Sequence, residues 1–236
     1  IANPKINSHI TVLYNQMTKK WPDANYVWFK RNDQGDDRLL SIFNDQNDTA
    51  RKIQFKTITI PSAFSLNHLS VHIDSNKTNV LILGSLDDAF SNEFAKVISS
   101  YPKKGIIHVV GMPNWDGMKE IQSKAYTGIP VYYTSGYFAP TGNKWLLDYD
   151  EKFKDNIGTK ASISAIRGFE ITYFFGSIWS KYGHIDQKQL EDSKSRIITD
   201  YDFRPVFWGA DHQYPDYYEN KRIYFIRRLN GVASLQ

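Results

Sequence analysis

The chain has no cysteine, which removes disulfides, thiolate metal ligands and cysteine nucleophiles from its chemistry and leaves its redox compartment unreadable from composition. It has no apolar run near the roughly 18 residues of a membrane-spanning helix, and no segment reads as a signal peptide. One-sided charge is missing too. The 29 basic and 25 acidic residues leave only +4, and the lysines are scattered, so neither nucleic acid nor a membrane surface is an expected partner. His9, His68, His72, His108, His184 and His212 fall into no HExxH or His-x-His spacing, so no metal is expected. There is no Gly-x-Ser-x-Gly elbow and no P-loop, since Gly35, Gly84 and Gly111 stand singly at turns. Without a nucleophile, base and orienter as a set, the chain reads as a non-enzyme with no cofactor. His108 lies within an apolar run and reads as packed, and Asp211-His212 with Asp216 reads as a solvated turn before a cation site.

What the chain does have is a rhythm. Five short apolar runs, each closed by turn residues and followed by a helix-like stretch, recur about every 26 residues through the first 135 positions. They are Tyr26–Lys30, Ile53–Ile60, Asn79–Leu83, Ile106–Val110 and Ile129–Tyr133. Rich in Val, Ile, Tyr and Phe and nearly continuous in hydrophobicity, they read as strands buried on both faces. The spacing supplies the crossover helix that parallel neighbours need. The fold class is therefore α/β with an open parallel sheet, whose ligands lie beyond the carboxyl ends of the strands.

Between the runs, Ser8 is placed to cap a first helix with Ile10, Leu13, Tyr14 and Met17 on one face. Leu39, Leu40 and Phe43 mark a second helix, Leu66, Leu69 and Val71 a third, and Phe90, Phe94, Val97 and Ile98 a fourth. Ser85 and Asp88 stand at capping-box spacing before that fourth helix, and Asn114 or Asp116 caps a short one. After a loop at Thr134–Gly142 come two helical stretches, near Asn143–Asn156 and Ser162–Tyr182. The second is apolar almost all round and expects burial on more than one face. The tail reads as strands at Arg196–Thr199, Val206–Trp208 and Ile223–Leu229, with a polar aromatic turn at His212–Tyr218.

The succession YVWFKRNDQGDD, NVLILGSLDDAF, IIHVVGMPNWD, IPVYYTSGYF and AIRGFEITYFFGSIWSKYG resembles the second half of type 1 periplasmic-binding-protein domains, the leucine/isoleucine/valine-receptor class. Gly168-Phe169-Glu170 matches a Gly-aromatic-acidic turn that begins a long helix in that family. The segments GSLDDAF and GMPNWD and the Tyr-Phe hinge resemble receptor-like domains of Bacteroidetes envelope proteins, some of which carry peptidoglycan-binding LysM modules. The resemblance implies parallel-sheet, three-layer sandwich lobes joined by hinge crossings, with ligand trapped between them. It assigns residues 1–135 to the second lobe, 136–200 to a hinge crossing and the helix pair of the first lobe, and 201–236 to strands returning across the hinge. Most of the first lobe has no counterpart in the chain, so the Ser162–Tyr182 helix is expected to need a partner surface. The implied location is the periplasm or cell envelope. The implied activity is that of a solute receptor for a small polar ligand, an amino acid or a related compound. The alternative is an envelope scaffold that keeps the fold and contacts protein or peptidoglycan.

Candidate ligand residues follow three of the runs: Asn32, Asp33 and Gln34, then Ser85, Leu86 and Asp87, then Asn114 and Trp115. Tyr137 at the hinge loop is a candidate wall. Asp33, Ser85, Asp87 and Asn114 read equally as helix caps. Amino-acid receptors of the resembled family place an acidic group just after the strand corresponding to IIHVV. Met112-Pro113-Asn114 stands there, which argues against a free α-amino acid.

Overall fold

The five apolar runs assemble into one sheet in the computed structural model, which describes all residues except 50–51, 103–105, 124–125, 140–141 and 209–213. Backbone contacts divide the chain into two units: Ile6–Ser135 with Tyr224–Gln236, and Ile1–Lys5 with Gly136–Ile223.

The first unit holds a seven-stranded sheet in the order β2-β1-β3-β4-β5-β8-β9. Strands β1 (Asn25–Lys30), β2 (Phe55–Thr59), β3 (Asn79–Leu83), β4 (Ile107–Val110) and β5 (Val131–Ser135) are parallel to their neighbours. Beyond β5, β8 (Tyr224–Leu229) runs antiparallel and turns through Asn230-Gly231 into β9 (Val232–Leu235). Both turn residues have positive φ, 52° and 80°, as a two-residue hairpin requires.

Alternation along the strands sorts the core into two faces. Tyr26, Trp28, Val80, Ile82, Val110 and Tyr132 pack with Ile10, Leu13, Tyr14 and Met17 of α1 (Ile6–Lys20) and Leu39 and Phe43 of α2 (Gln34–Thr49). On the opposite face Phe29 meets Phe64 and Phe94, so α3 (Leu66–Ser70) and α4 (Asp88–Ser99) complete a third layer. Strands β1, β3 and β5 are buried throughout but for the half-buried Asn25, as the continuous runs imply. Strand β2 differs: Lys56, Thr57 and Thr59 are exposed because it is the sheet edge, where charge discourages further pairing.

Several local expectations need correction. Ser8 lies inside α1, which begins two residues earlier. Asp87, not Ser85, caps α4, with its carboxylate accepting from the Phe90 amide at 2.6 Å. Asn114 and Asp116 lie within a 3₁₀ turn at Pro113–Gly117 and do not cap it. Val71 is 73% exposed, beyond the C-terminus of the short α3, and only Leu69 anchors that helix.

The other unit contains α5 (Lys144–Ile157), α6 (Ile163–Tyr182), the short α7 (Gln187–Leu190) and a ribbon of β6 (Phe203–Val206) and β7 (Tyr217–Asn220). Asn143 and Ser162 cap α5 and α6, and each helix stops at a left-handed glycine, Gly158 and Gly183. Ser162 caps six residues ahead of Gly168, so Gly168-Phe169-Glu170 lies inside α6 and begins nothing. One stripe of α6, Ile166, Glu170, Phe174 and Ile178, is buried, and Phe174 and Ile178 form a core with Leu190, Tyr201 and Phe203. Phe169 and Tyr173 lie half-buried against Tyr149 and Trp145 of α5, at 4.5 and 5.5 Å between ring centres. The unit's own elements thus cover Phe169, Tyr173 and Phe174, and Trp179 remains 61% exposed.

Arg196–Thr199 is not a strand. The buried Glu170 carboxylate takes both the Thr199 amide and hydroxyl, so a side chain satisfies what a ladder would. Tyr217 and Tyr218 belong to β7 and not to a turn. Pro140, Thr141, Asp211 and His212 lie outside the described residues.

Candidate functional site

Strand register brings the ends of β1, β2, β3 and β4 level, because Lys30 pairs with Thr59, Phe29 with Leu83, and Ile82 with Val110. The loops that leave these ends, Arg31–Asp33, Gly84–Asp87 and Gly111–Met112, therefore line one edge of the sheet.

Two tryptophans support this edge from beneath. An added Cβ at Gly84 would stand 2.0 Å from the Trp28 ring, and one at Gly111 would stand 2.2 Å from the Trp115 ring. Neither glycine has a positive φ, so each is required for space and not for conformation. Trp115 is fully buried, with its indole N–H donating to Ser91 Oγ at 3.2 Å, so its ring offers no surface to a ligand.

Carboxylates occupy the helix starts. Asp33 is exposed, and its side chain accepts from the Asp36 amide at 3.0 Å. Asp36 itself is buried, accepting from the Arg31 amide at 2.7 Å and from the Ser85 hydroxyl. Burial raises the Asp36 carboxyl above the usual range, against the opposing pull of those two donors. Ser85 is fully buried between Asp36 and the Asp87 amide. Asn32, Gln34, Leu86 and Asp87 are exposed along the edge. Asn114 bridges two loops: its amide nitrogen lies 3.0 Å from Asp88 Oδ1, 3.3 Å from the Leu86 carbonyl and 3.4 Å from Ser91 Oγ.

Two recesses flank the first turns of α4. One, of about 670 Å³, is lined by Arg31, Asp33, Asp87, Ala89, Phe90 and Glu93. Arg31 is already engaged there, donating to Glu93 at 2.8 Å and to the Ser62 carbonyl at 2.9 Å, with its guanidinium 4.3 Å from the Phe90 ring centre. The other, of about 320 Å³, is lined by Asp88, Asn92, Asn114, Gly117, Met118, Lys119 and Glu120.

The structure thus brings Asn32, Asp33, Gln34, Leu86, Asp87 and Asn114 to one accessible edge, with Ser85 and Trp115 beneath it. Tyr137 lies in the other unit, half-buried, with the Arg167 guanidinium 6.0 Å from its ring centre. Sequence reasoning passed over Asp36 and Asn92 and read Asp116 only as a cap. Asp116 accepts from Ser135 Oγ at 2.7 Å and neighbours Tyr133, whose hydroxyl receives Arg228 at 3.2 Å. It is the first acidic side chain after β4. Among the described residues no cluster of three or more His, Cys, Asp or Glu is arranged to hold a metal.

A three-layer α/β unit with parallel strand order 2-1-3-4-5, an antiparallel return and a second, interrupted unit is the type 1 periplasmic-binding fold. Solved structures bear this out. An ABC transporter substrate-binding protein from Desulfitobacterium hafniense in complex with Leu matches 99% of this chain over 66% of its own length, with TM-score 0.61 and 12% identity. An amino acid ABC transporter substrate-binding protein from Pseudomonas fluorescens matches 98% over 63%, with TM-score 0.57 and 11% identity. A branched-chain amino acid ABC transporter periplasmic ligand-binding protein from Burkholderia xenovorans matches 93% over 63%, with TM-score 0.57 and 14% identity. The chain spans just under two thirds of the length of these proteins, and at this identity the likeness is one of fold. No protein-family model matches the sequence, and no curated protein matches it. Among the described residues no helix is long and apolar enough to cross a membrane.

Proposed function

We propose that the chain is the ligand-binding part of a solute receptor of the periplasm or cell envelope, taking a small polar ligand at the carboxyl edge of the parallel sheet. In this reading Ile6–Ser135 with Tyr224–Gln236 corresponds to the second lobe, and Gly136–Ile223 carries the hinge crossing and the helix pair of the first. The observation that carries it is the level edge at which three strand-end loops meet two polar recesses, in a fold shared with substrate-binding proteins. Ligand sites of open α/β sheets lie at this edge because the strand-end loops and helix starts converge there.

The test is a melting-temperature screen against amino acids, amines, short peptides and sugars, followed by calorimetry on any hit. Binding should fall at least tenfold in Leu86→Trp, since Leu86 is 47% exposed on the edge and accepts a bulky ring without unfolding the core. Ser85→Trp is no test, because it would break the buried Ser85–Asp36 contact. Unchanged affinity in Leu86→Trp would move the site elsewhere.

A second reading is an envelope interaction protein that retains the fold without a small ligand. It rests on the exposed aromatic surface of the other unit, where Trp145, Trp179 and Trp208 are 47%, 61% and 65% exposed. Absence of any hit in the screen, together with capture of a specific envelope partner lost in Trp179→Ser, would favour it.

A further inference from the structure

The larger recess is walled by two segments far apart in sequence, Arg31 and Asp33 after β1, and Asp87, Ala89, Phe90 and Glu93 at the start of α4. Strand pairing brings the segments level: Phe29 pairs with Leu83 and the Gly84 amide donates to the Phe29 carbonyl at 2.9 Å, so Arg31 and Ser85 leave the sheet side by side. Past that bond two buried side chains take over. The Asp36 carboxylate, in a residue 3% exposed, accepts from the Arg31 amide at 2.7 Å and from the Ser85 hydroxyl. Ser85 Oγ, fully buried, accepts from the Asp87 amide at 3.2 Å, and the Asp87 carboxylate accepts from the Phe90 amide at 2.6 Å. On the other side the Asp36 amide donates to the Asp33 carboxylate at 3.0 Å. Arg31, Asp33, Asp87 and Phe90, four of the six wall residues, are therefore tied to one pair, and neither member of that pair lines the recess.

A polar pair without access to water cannot trade its partners for solvent, so the spacing it sets persists. The Ser85 hydroxyl makes the join, since it donates towards one segment and accepts from the other, and alanine supplies neither bond. The charge on Asp36 gives a means of watching the pair. Burial raises the Asp36 carboxyl, the Arg31 amide and the Ser85 hydroxyl lower it, Asp33 raises it, and Lys30, itself paired with Asp37 at 2.6 Å, lowers it. Loss of the Ser85 hydroxyl should therefore move the Asp36 titration up in pH, and loss of the Asp33 charge should move it down.

We propose that Asp36 and Ser85 are positioning residues of the sheet edge, which hold the Arg31–Asp33 and Gly84–Phe90 segments at the separation that forms the larger recess. The bearing of this pair on ligand capture rests on the receptor reading, and its existence does not. Both act from beneath the recess, through the backbone of the residues that wall it.

The experiment is amide hydrogen exchange and a pH titration, both by nuclear magnetic resonance on the full chain without ligand. Asp36→Asn should lower protection at the Asp87 and Phe90 amides at least tenfold, although α4 begins about fifty residues away, and Ser85→Ala should do the same at Arg31. Val80, Leu81 and Ile82 in β3 should keep their protection. The double variant should lose little more than the worse single one, because both break the same join. In the parent the Arg31 amide shift should follow the Asp36 titration, with its midpoint raised by Ser85→Ala and lowered by Asp33→Asn. The titration uses proteins that keep Asp36, so it decides the question even if Asp36→Asn does not fold. Protection at Asp87 and Phe90 within twofold of the parent in Asp36→Asn would overturn the proposal, and so would an equal loss across β3, which would make the pair a general stabiliser. A midpoint that Ser85→Ala leaves in place or lowers would also overturn it. None of these failures touches the receptor reading, which fails instead if the ligand screen yields no hit.

Discussion

Replacing Gly84 with alanine tests whether the site edge rests directly on the core. Gly84 follows β3 and donates its amide to the Phe29 carbonyl at 2.9 Å, so its backbone is held in the ladder and cannot retreat. The new methyl would stand 2.0, 2.1 and 2.4 Å from three atoms of the Trp28 indole. Carbon atoms prefer about 3.5–4.0 Å, so the ring must shift by roughly 1.5 Å. Trp28 is fully buried with its ring centre 4.7 Å from that of Phe43, which leaves it no free space. Overpacking of this kind costs about 1–3 kcal/mol and occasionally more, and the rigid neighbour puts Gly84→Ala near ~3. For a chain of this size that is a melting-temperature drop of roughly 6–12 °C. Thermal unfolding with near-ultraviolet circular dichroism reads both the midpoint and the tryptophan environment. Gly117→Ala is the control, since a Cβ there meets nothing within 4 Å. Adding Trp28→Phe should restore much of the loss, because it shortens the ring and removes an indole N–H that is buried without an acceptor. A Gly84→Ala protein that melts within 2 °C of the parent, about the size of surface changes, would refute the packing argument.

Asn79 is fully buried and donates to the carbonyls of Asp74, Lys77 and Ile106 while accepting from Asn25 and the Asp74 amide, so Asn79→Ala should cost about 2–4 kcal/mol, read as a lower urea midpoint at unchanged slope. The two units should respond to pH with opposite slopes. Burial, with Lys20 and Arg227 nearby, lowers His108 to about 4, below its unfolded value near 6.5, so the sheet unit gains stability as pH rises from about 4 to 6.5. Burial raises Glu170 above the carboxylate range, so the folded helical unit holds the proton more tightly than the unfolded chain and loses stability as pH rises through that folded value. His108→Phe and Glu170→Gln should each flatten one slope, and melting curves from pH 4 to 8 that keep both slopes in both variants would contradict the assignment.

The sheet was legible because its strands are buried on both faces, so hydrophobicity runs without interruption through NVLIL and IIHVV, and periodic helices separate them. Strand β7 was not legible, since Tyr217–Asn220 follows Pro215-Asp216 and alternates no more clearly than a loop does. The caps were legible in kind and not in place: the neighbouring Ser85, Asp87 and Asp88 all have capping chemistry, and only backbone geometry selects Asp87. Asp36 was passed over, because its burial depends on Ser85, which is distant in sequence. Trp115 carries no sequence mark that separates an accessible ring from one packed 6.3 Å from Phe94.

Those two buried indoles bear on how the edge works. Trp28 lies against Gly84 and Trp115 against Gly111, so the backbone of two candidate site loops sits on side chains that are themselves fully buried in the core. Loops fixed this way have little conformational entropy left to lose when a ligand arrives, and most of the contact energy then goes to affinity and selection. The carboxylates that cap α2 and α4 are fixed by the same construction, since each is bonded to a helix amide. A rigid row of acceptors discriminates strongly against a ligand of the wrong charge, because neither the loops nor the caps can turn aside to relieve an unpaired group. In the receptor reading, selectivity for charge is therefore expected to be sharper than selectivity for length, and for any ligand that binds, lengthening its chain should change affinity less than exchanging its charged group does.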